Sequence, residues 1–296
     1  MKVGKYSQNG QIRAFLVRSD NALVDAQHLA LDLFPQQVRE AAAMLISGGD
    51  AGFCAALPTI ERFLFENPNS LREAPALSHD LEFEPPTRPR SFLCVGLNYK
   101  DHAAESKMEL PKAPLLFSKT ANAIGAHNRA VAIPPNCLQL DFEAELAVVM
   151  GKRCRNASRE DAAGYIAGYT CGNDFSARDF QFGDGQWYRG KSCDGFGPLG
   201  PWLVTPAEAG DPQSLGIRLR LNGTTMQDSN NCNLVFGVPA LVEYESTYMT
   251  LEPGDVILTG TPPGVGFSRK PPVFLKSGDL VEVEIERIGV LANRIR

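Results

Sequence analysis

A chain of 296 residues with 44% hydrophobic and 21% charged side chains has globular composition and enough length for one large core or two smaller ones. Its 29 basic and 34 acidic residues leave a net charge of -5 with neither sign gathered into a run, which argues against the clustered basic surface that nucleic acid requires. No apolar stretch is long enough to span a bilayer, and the start MKVGKYSQNG lacks the apolar core of a signal peptide, so the expectation is a cytoplasmic protein with no membrane partner.

In chain order, the first 33 residues alternate short apolar runs (12–17, 22–26) with turn signals at Asn9-Gly10 and Ser19-Asp20-Asn21, a pattern that predicts a small antiparallel meander. Residues 36–47 and 57–66 carry apolar side chains at helical spacing, punctuated by Pro35, Gly48-Gly49 and Pro68. The proline-rich EPPTRPR at 84–90 sustains neither helix nor central strand and reads as a linker between a first domain, 1–84, and a second, 91–296. Beyond it, strands are predicted at 92–97, 115–118, 130–133, 142–150, 165–173, 217–221, 255–260 and 280–286, with short helices near 99–107, 158–163 and 236–248. Many strands divided by turn residues favour a sandwich, roll or barrel over a doubly wound sheet. Seven cysteines (Cys54, Cys94, Cys137, Cys154, Cys171, Cys193, Cys232) form no C-x-x-C pair and read mostly as small buried apolar residues.

The most informative segment is DFEAELAVVM at 141–150. A period of two places Glu143 and Glu145 on one strand face, with Phe142, Ala144, Leu146 and Val148 on the other. Paired carboxylates repel, and either open water or a cation relieves them; the pattern alone fits both. Asp174 ends the apolar run 166–171 and fits either a helix cap or a third ligand. Three carboxylates without His or Cys make a hard oxygen site suited to Mg2+, Mn2+ or Ca2+.

His102 and Glu105 are spaced i, i+3 on a predicted helical segment, which suits either a carboxylate-oriented base or an incidental surface pair. Lys191, in WYRGKS, is either a loop-surface lysine or an enclosed one able to stabilise an oxyanion. The loop TGTPPGVG at 259–266 follows an apolar strand and is neither a P-loop nor a dinucleotide fingerprint.

Read in order, CVGLNYKDHAAE, PLLFSKTANAIG, DFEAELAVVMGKRCRN, GYTCGNDFSARDFQ, GQWYRGKSCDGFGPLGPWL and GDVILTGTPPGVG resemble the fumarylacetoacetate hydrolase family over residues 91 to about 287. The resemblance implies an α+β, mainly β fold: a mixed β roll or sandwich catalytic domain behind a small α+β N-terminal domain without catalytic residues. It implies a metal held by Glu143, Glu145 and Asp174, a His102 and Glu105 dyad on a lid segment, and Lys191 near the metal. Arg178, Gln181 and Thr261 fall at positions that line the site in such proteins, and family members of this layout are commonly homodimers. The implied chemistry is hydrolytic carbon–carbon cleavage of a 2,4-dioxo acid, an acylpyruvate or diketo-deoxy sugar acid, to pyruvate and a carboxylic acid. Decarboxylation of oxaloacetate, or tautomerisation of a 2-oxo acid, would use the same site. A metal-stabilised scaffold that has lost catalysis is disfavoured, because every residue of the implied machinery is present.

Overall fold

The computed structural model describes residues 1–78, 80–101 and 109–296. His102 and Glu105 therefore lie outside the described residues. The chain opens with β1 (Lys2–Gln8), β2 (Gln11–Val17) and β3 (Leu23–Asp25). Asn9 and Gly10 both have positive φ, 52° and 76°, the combination a two-residue hairpin needs to match strand twist. Helices α1 (Gln36–Ser47) and α2 (Gly49–Glu66) follow. The second was expected from residue 57. It begins at Gly49 and runs through Pro58, because burial of Phe53, Cys54, Ala56, Leu57 and Ile60 outweighs the one backbone bond that proline removes.

After β4 (Glu82–Glu84) and the proline segment come β5 (Phe92–Gly96), β6 (Leu115–Lys119), β7 (Ile124–Ala126), β8 (Leu140–Asp141), β9 (Ala144–Met150), β10 (Ile166–Asn173) and β11 (Ser176–Ala177). Two short helices, α3 (Arg178–Gly183) and α4 (Trp187–Lys191), precede β12 (Gly197–Val204) and α5 (Pro206–Ala209). The chain ends with β13 (Gly216–Leu221), β14 (Thr224–Asn230), α6 (Val238–Tyr248), β15 (Val256–Leu258), β16 (Leu280–Ile285) and β17 (Gly289–Arg294).

A large mixed sheet runs β3-β2-β1-β12-β10-β9-β15-β5-β6, with β4 on β1 and β7 on β12, and a smaller antiparallel sheet runs β14-β13-β16-β17. The fold is α+β and mostly sheet, as expected. Strand β9 shows why its sequence is apolar without alternation. Leu146, Val148 and Met150 pack with Leu219, Val283 and Leu291 of the small sheet, while Ala147 and Val149 pack with Phe53 and Leu57 of α2. Both faces of the strand are covered, and each large side chain so buried contributes about 1.5–3 kcal/mol.

Three expectations need correction. Residues 130–133 form only a single bridge, Val131 to Ile295, and 158–163 is replaced by a 3-10 turn at Ala162–Tyr165. The strand expected at 142–150 starts at Ala144, leaving Phe142 and Glu143 in a gap after β8. Strand β12 was not anticipated because GPLGPWLV is rich in glycine and proline. Pro201 is tolerated where the pairing with β10 shifts register between Tyr169 and Cys171. Among the described residues, no helix is long and apolar enough to cross a membrane.

Candidate metal centre and cavity

The strands deliver the acidic residues to one end of the large sheet. Antiparallel pairing of β9 and β10 sets Gly172 opposite Glu145 and Asn173 opposite Ala144. One residue further, the Asp174 N–H donates to the Glu143 carbonyl at 2.9 Å, and the Glu143 N–H donates to Asn173 Oδ1 at 3.0 Å. Register alone thus sets Asp174 beside Glu143. On the other flank of β9, β15 pairs Leu258 with Ala147, and the chain then turns so that the Gly260 N–H donates to Glu145 Oε2 at 2.6 Å. Gly260 has φ +100°, and a Cβ there would lie 2.8 Å from Asn98 Cβ, so only glycine fits.

Glu143, Glu145 and Asp174 are buried, and one oxygen of each lies within 4.8 Å of the others. That spread suits three carboxylate ligands around one divalent cation with metal–oxygen distances of about 2.1–2.4 Å. The donor set contains oxygen only, which suits magnesium, manganese or calcium better than zinc.

Basic side chains interleave with the trio. Lys191, at the end of α4, donates to Glu143 Oε2 at 2.7 Å and Asp174 Oδ2 at 2.6 Å. Its ammonium also stands 5.2 Å from the centre of the Phe117 ring. Arg178 donates from Nε to Asp141 Oδ2 at 2.9 Å, from one terminal nitrogen to Gln181 Oε1 at 3.0 Å and from the other to Glu143 Oε1 at 2.5 Å. The Lys119 ammonium lies 2.5 Å from Asp174 Oδ1. Burial works against the charge of Glu143, but Lys191 and Arg178 more than reverse that and hold its carboxyl below the usual range. Among the described residues Glu145 forms no ion pair, and burial reinforced by Asp174 and Glu143 pushes its carboxyl well up. Burial pulls Lys191 down, yet Asp174 and Glu143 leave it raised.

A cavity of about 490 Å3 opens above this cluster, lined by Glu143, Glu145, Arg178, Gln181, Lys191 and Thr261 on its polar side. Phe117, Phe182, Trp187 and Phe267, with Val95 and Leu97, form the apolar side. A wider groove of about 850 Å3 beside α2 mixes Arg18, Arg62, Glu61 and Glu208, without a comparable carboxylate trio.

The structure therefore brings together Glu143, Glu145, Asp174, Arg178, Gln181, Lys191 and Thr261, every expected site residue that falls among the described residues. It adds three that sequence reasoning did not assign. Asp141 accepts from Arg178 and from the Gly266 and Phe267 N–H groups. Gln227 of β14 accepts from the Ala144 N–H and donates to Thr261 Oγ1 at 2.9 Å and to the Pro262 carbonyl, tying the small sheet to the site. Lys119, the last residue of β6, is buried, which its place after the apolar run PLLF did not announce.

Comparison with known proteins agrees with this arrangement. The family model for the fumarylacetoacetate (FAA) hydrolase C-terminal region matches residues 91–296. The mitochondrial oxaloacetate tautomerase FAHD2A of Bos taurus is 49% identical over 213 residues, which is 71% of this chain and 68% of that protein. Among solved structures, the fumarylacetoacetate hydrolase of Exiguobacterium antarcticum matches with a TM-score of 0.83 at 32% identity, covering 100% of this chain and 99% of its own. Maleylpyruvate hydrolase from Sphingobium sp. SYK-6, solved with manganese(II) and pyruvate, matches with a TM-score of 0.76 at 25% identity, covering 100% and 98%. Sequence, fold and site agree: the chain belongs to the fumarylacetoacetate hydrolase family.

Proposed function

We propose that this protein is a divalent-metal enzyme that interconverts the keto and enol forms of a small 2-oxo acid, with oxaloacetate the first substrate to try. The observation that carries the reading is the buried Glu143, Glu145 and Asp174 trio, within 4.8 Å, at the base of a cavity that also holds Lys191. A divalent cation held there would supply Lewis-acid chemistry, withdrawing electron density from the 2-oxo group and so acidifying the neighbouring C–H.

The remaining work falls to the chain's own side chains. Four acidic groups (Asp141, Glu143, Glu145, Asp174) meet three basic ones (Lys119, Arg178, Lys191) in the cluster, all buried. With Glu145 protonated the cluster is neutral. With Glu145 ionised and a dication held by the trio, the cluster would carry one net positive charge, which a substrate carboxylate would balance. Lys191 Nζ is the cavity-facing donor beside the trio, placed to stabilise a developing enolate oxygen. Arg178 holds Glu143 and Gln181 in place through its engaged guanidinium. The proton at C3 is assigned to His102, oriented by Glu105, on the strength of their sequence spacing.

The bovine relative, an oxaloacetate tautomerase, supports tautomerisation at the highest identity among the proteins compared above. Carbon–carbon hydrolysis of a 2,4-dioxo acid is the second reading. It is favoured by the manganese- and pyruvate-bound maleylpyruvate hydrolase and by a cavity roomier than a four-carbon diacid needs. The test follows decay of enol-oxaloacetate absorbance, and pyruvate release from acylpyruvates, with Mg2+ or Mn2+ and again after EDTA. Accelerated enol decay that EDTA abolishes and metal restores supports tautomerisation. Pyruvate plus a carboxylic acid from an acylpyruvate supports hydrolysis, and no metal-dependent turnover of either sinks both.

A further inference from the structure

We propose that Lys119 is a positioning residue for the metal centre: its ammonium fixes Asp174 so that one carboxylate oxygen faces the cation site, and anchors the backbone that carries Lys191. The inference rests on the reading of Glu143, Glu145 and Asp174 as metal ligands. Lys119 is the last residue of β6, paired with Phe92 of β5, and its side chain is fully buried. Space for it is reserved by Gly197 of β12, where a Cβ would sit 2.5 Å from the Phe92 ring and 3.2 Å from Lys119 Cδ.

Three oxygens surround the ammonium. Asp174 Oδ1 lies at 2.5 Å, and the ammonium donates to the Lys191 carbonyl at 2.5 Å and to the Phe175 carbonyl at 3.2 Å. These acceptors come from both sides of the centre: Asp174 and Phe175 continue from β10, and the Lys191 carbonyl ends α4. One cation thereby clamps the chain bearing a ligand to the chain bearing the cavity lysine. The two oxygens of Asp174 are divided in consequence. Oδ1 is turned to Lys119, while Oδ2 meets Lys191 at 2.6 Å beside the other carboxylates.

A buried ammonium carries a desolvation cost, and an apolar side chain of similar length would fill the same corridor without it. The lysine is therefore best explained by what it holds. It does not line the cavity. Its loss should act on cation affinity and leave substrate discrimination alone, as loss of an outer partner of a metal ligand does.

The experiment is calorimetric titration of Mn2+ into EDTA-treated, dialysed wild-type, Lys119→Met and Lys119→Gln proteins, with melts of each in EDTA. The expected result is a Kd raised about 10- to 100-fold in both variants, with melting temperatures in EDTA close to wild type. Wild-type Mn2+ affinity in either folded variant overturns the proposal. A wild-type protein that binds no Mn2+ overturns the metal reading itself and this inference with it. Should both variants fail to fold, a crystal structure of the wild-type Mn2+ complex decides. Asp174 bound through one oxygen, with its other oxygen on Lys119, is expected; Asp174 bound through both oxygens, or turned away from Lys119, overturns the proposal.

Discussion

Of the three proposed ligands, Glu145 is the one whose chemistry should change most when a cation binds. Burial and the like charges of Asp174 and Glu143 favour its neutral form in the absence of a cation, against the pull of the Gly260 N–H. Glutamine imitates that neutral form. Glu145→Gln should melt in EDTA at or above the wild-type temperature while binding Mn2+ at least about tenfold more weakly, read by parallel melts and titration. Lys191→Met should act on the reaction instead, lowering kcat by about 10²–10³ if the ammonium stabilises an enolate oxygen. Away from the site, Glu245 of α6 is fully buried and neither carboxyl oxygen has a hydrogen-bond partner among the described residues. Burial pushes it up to about 8. Between pH 4.5 and 8 the folded protein holds a proton that the unfolded chain releases, so stability is full below that window and declines through it by about 1.4 kcal/mol per pH unit. Glu245→Gln removes the decline. Unfolding free energies from urea melts should match wild type near pH 4.5 and exceed it by about 3 kcal/mol at pH 7.

At the scale of elements, the site is a product of strand register, and this decides what could be read in advance. Glu143, Glu145 and Asp174 stood out because charge interrupts or ends apolar runs, and a period of two already put the first pair on one side. The gap at Phe142 and Glu143 left that parity intact. Gln227 and Asp141 gave no such signal. Gln227 reaches Ala144 across 83 residues of sequence, through the contact between two sheets, and its own strand, TTMQDSN, is too polar to announce itself. The turn before that strand, Asn222-Gly223, adopts the positive φ values, 50° and 79°, of a tight hairpin. Lys119 was illegible because a lysine closing a strand is usually solvated, and only the glycine opposite, Gly197, gives it an interior path. The loop after β15 offers a test of how tightly these elements are set. Gly260→Ala would force a Cβ against Asn98 at positive φ, costing about 1–3 kcal/mol of stability, and would move the N–H that supports Glu145. A lower melting temperature together with weaker Mn2+ binding is expected, and a neutral substitution would show that the loop relaxes freely.

Across the whole molecule, the segment before the proline linker and the one after it share one sheet and one core. β1 pairs with β12, and Phe53 and Leu57 of α2 belong to the same buried cluster as Ala147, Val149, Val256 and Leu258. The strands that present Glu143, Glu145 and Asp174 thus have one face covered by the N-terminal helices. Urea unfolding followed by far-ultraviolet circular dichroism and by a probe in either segment should give superimposable curves; two separated transitions would show that the segments fold independently.

The two tryptophans fall at two different places in this architecture. Trp187 stands edge-on to Phe117 in the cavity wall, ring centres 5.6 Å apart, while Trp202 on β12 donates its indole N–H to the Ile288 carbonyl where the large sheet meets the small one. The chain therefore carries two native fluorophores with separate duties. In a Trp202→Phe protein the remaining emission reports whether the cavity is filled, and paramagnetic Mn2+ beneath it should quench that light. In a Trp187→Phe protein the emission is blind to the ligand and reports only whether the seam between the sheets is closed.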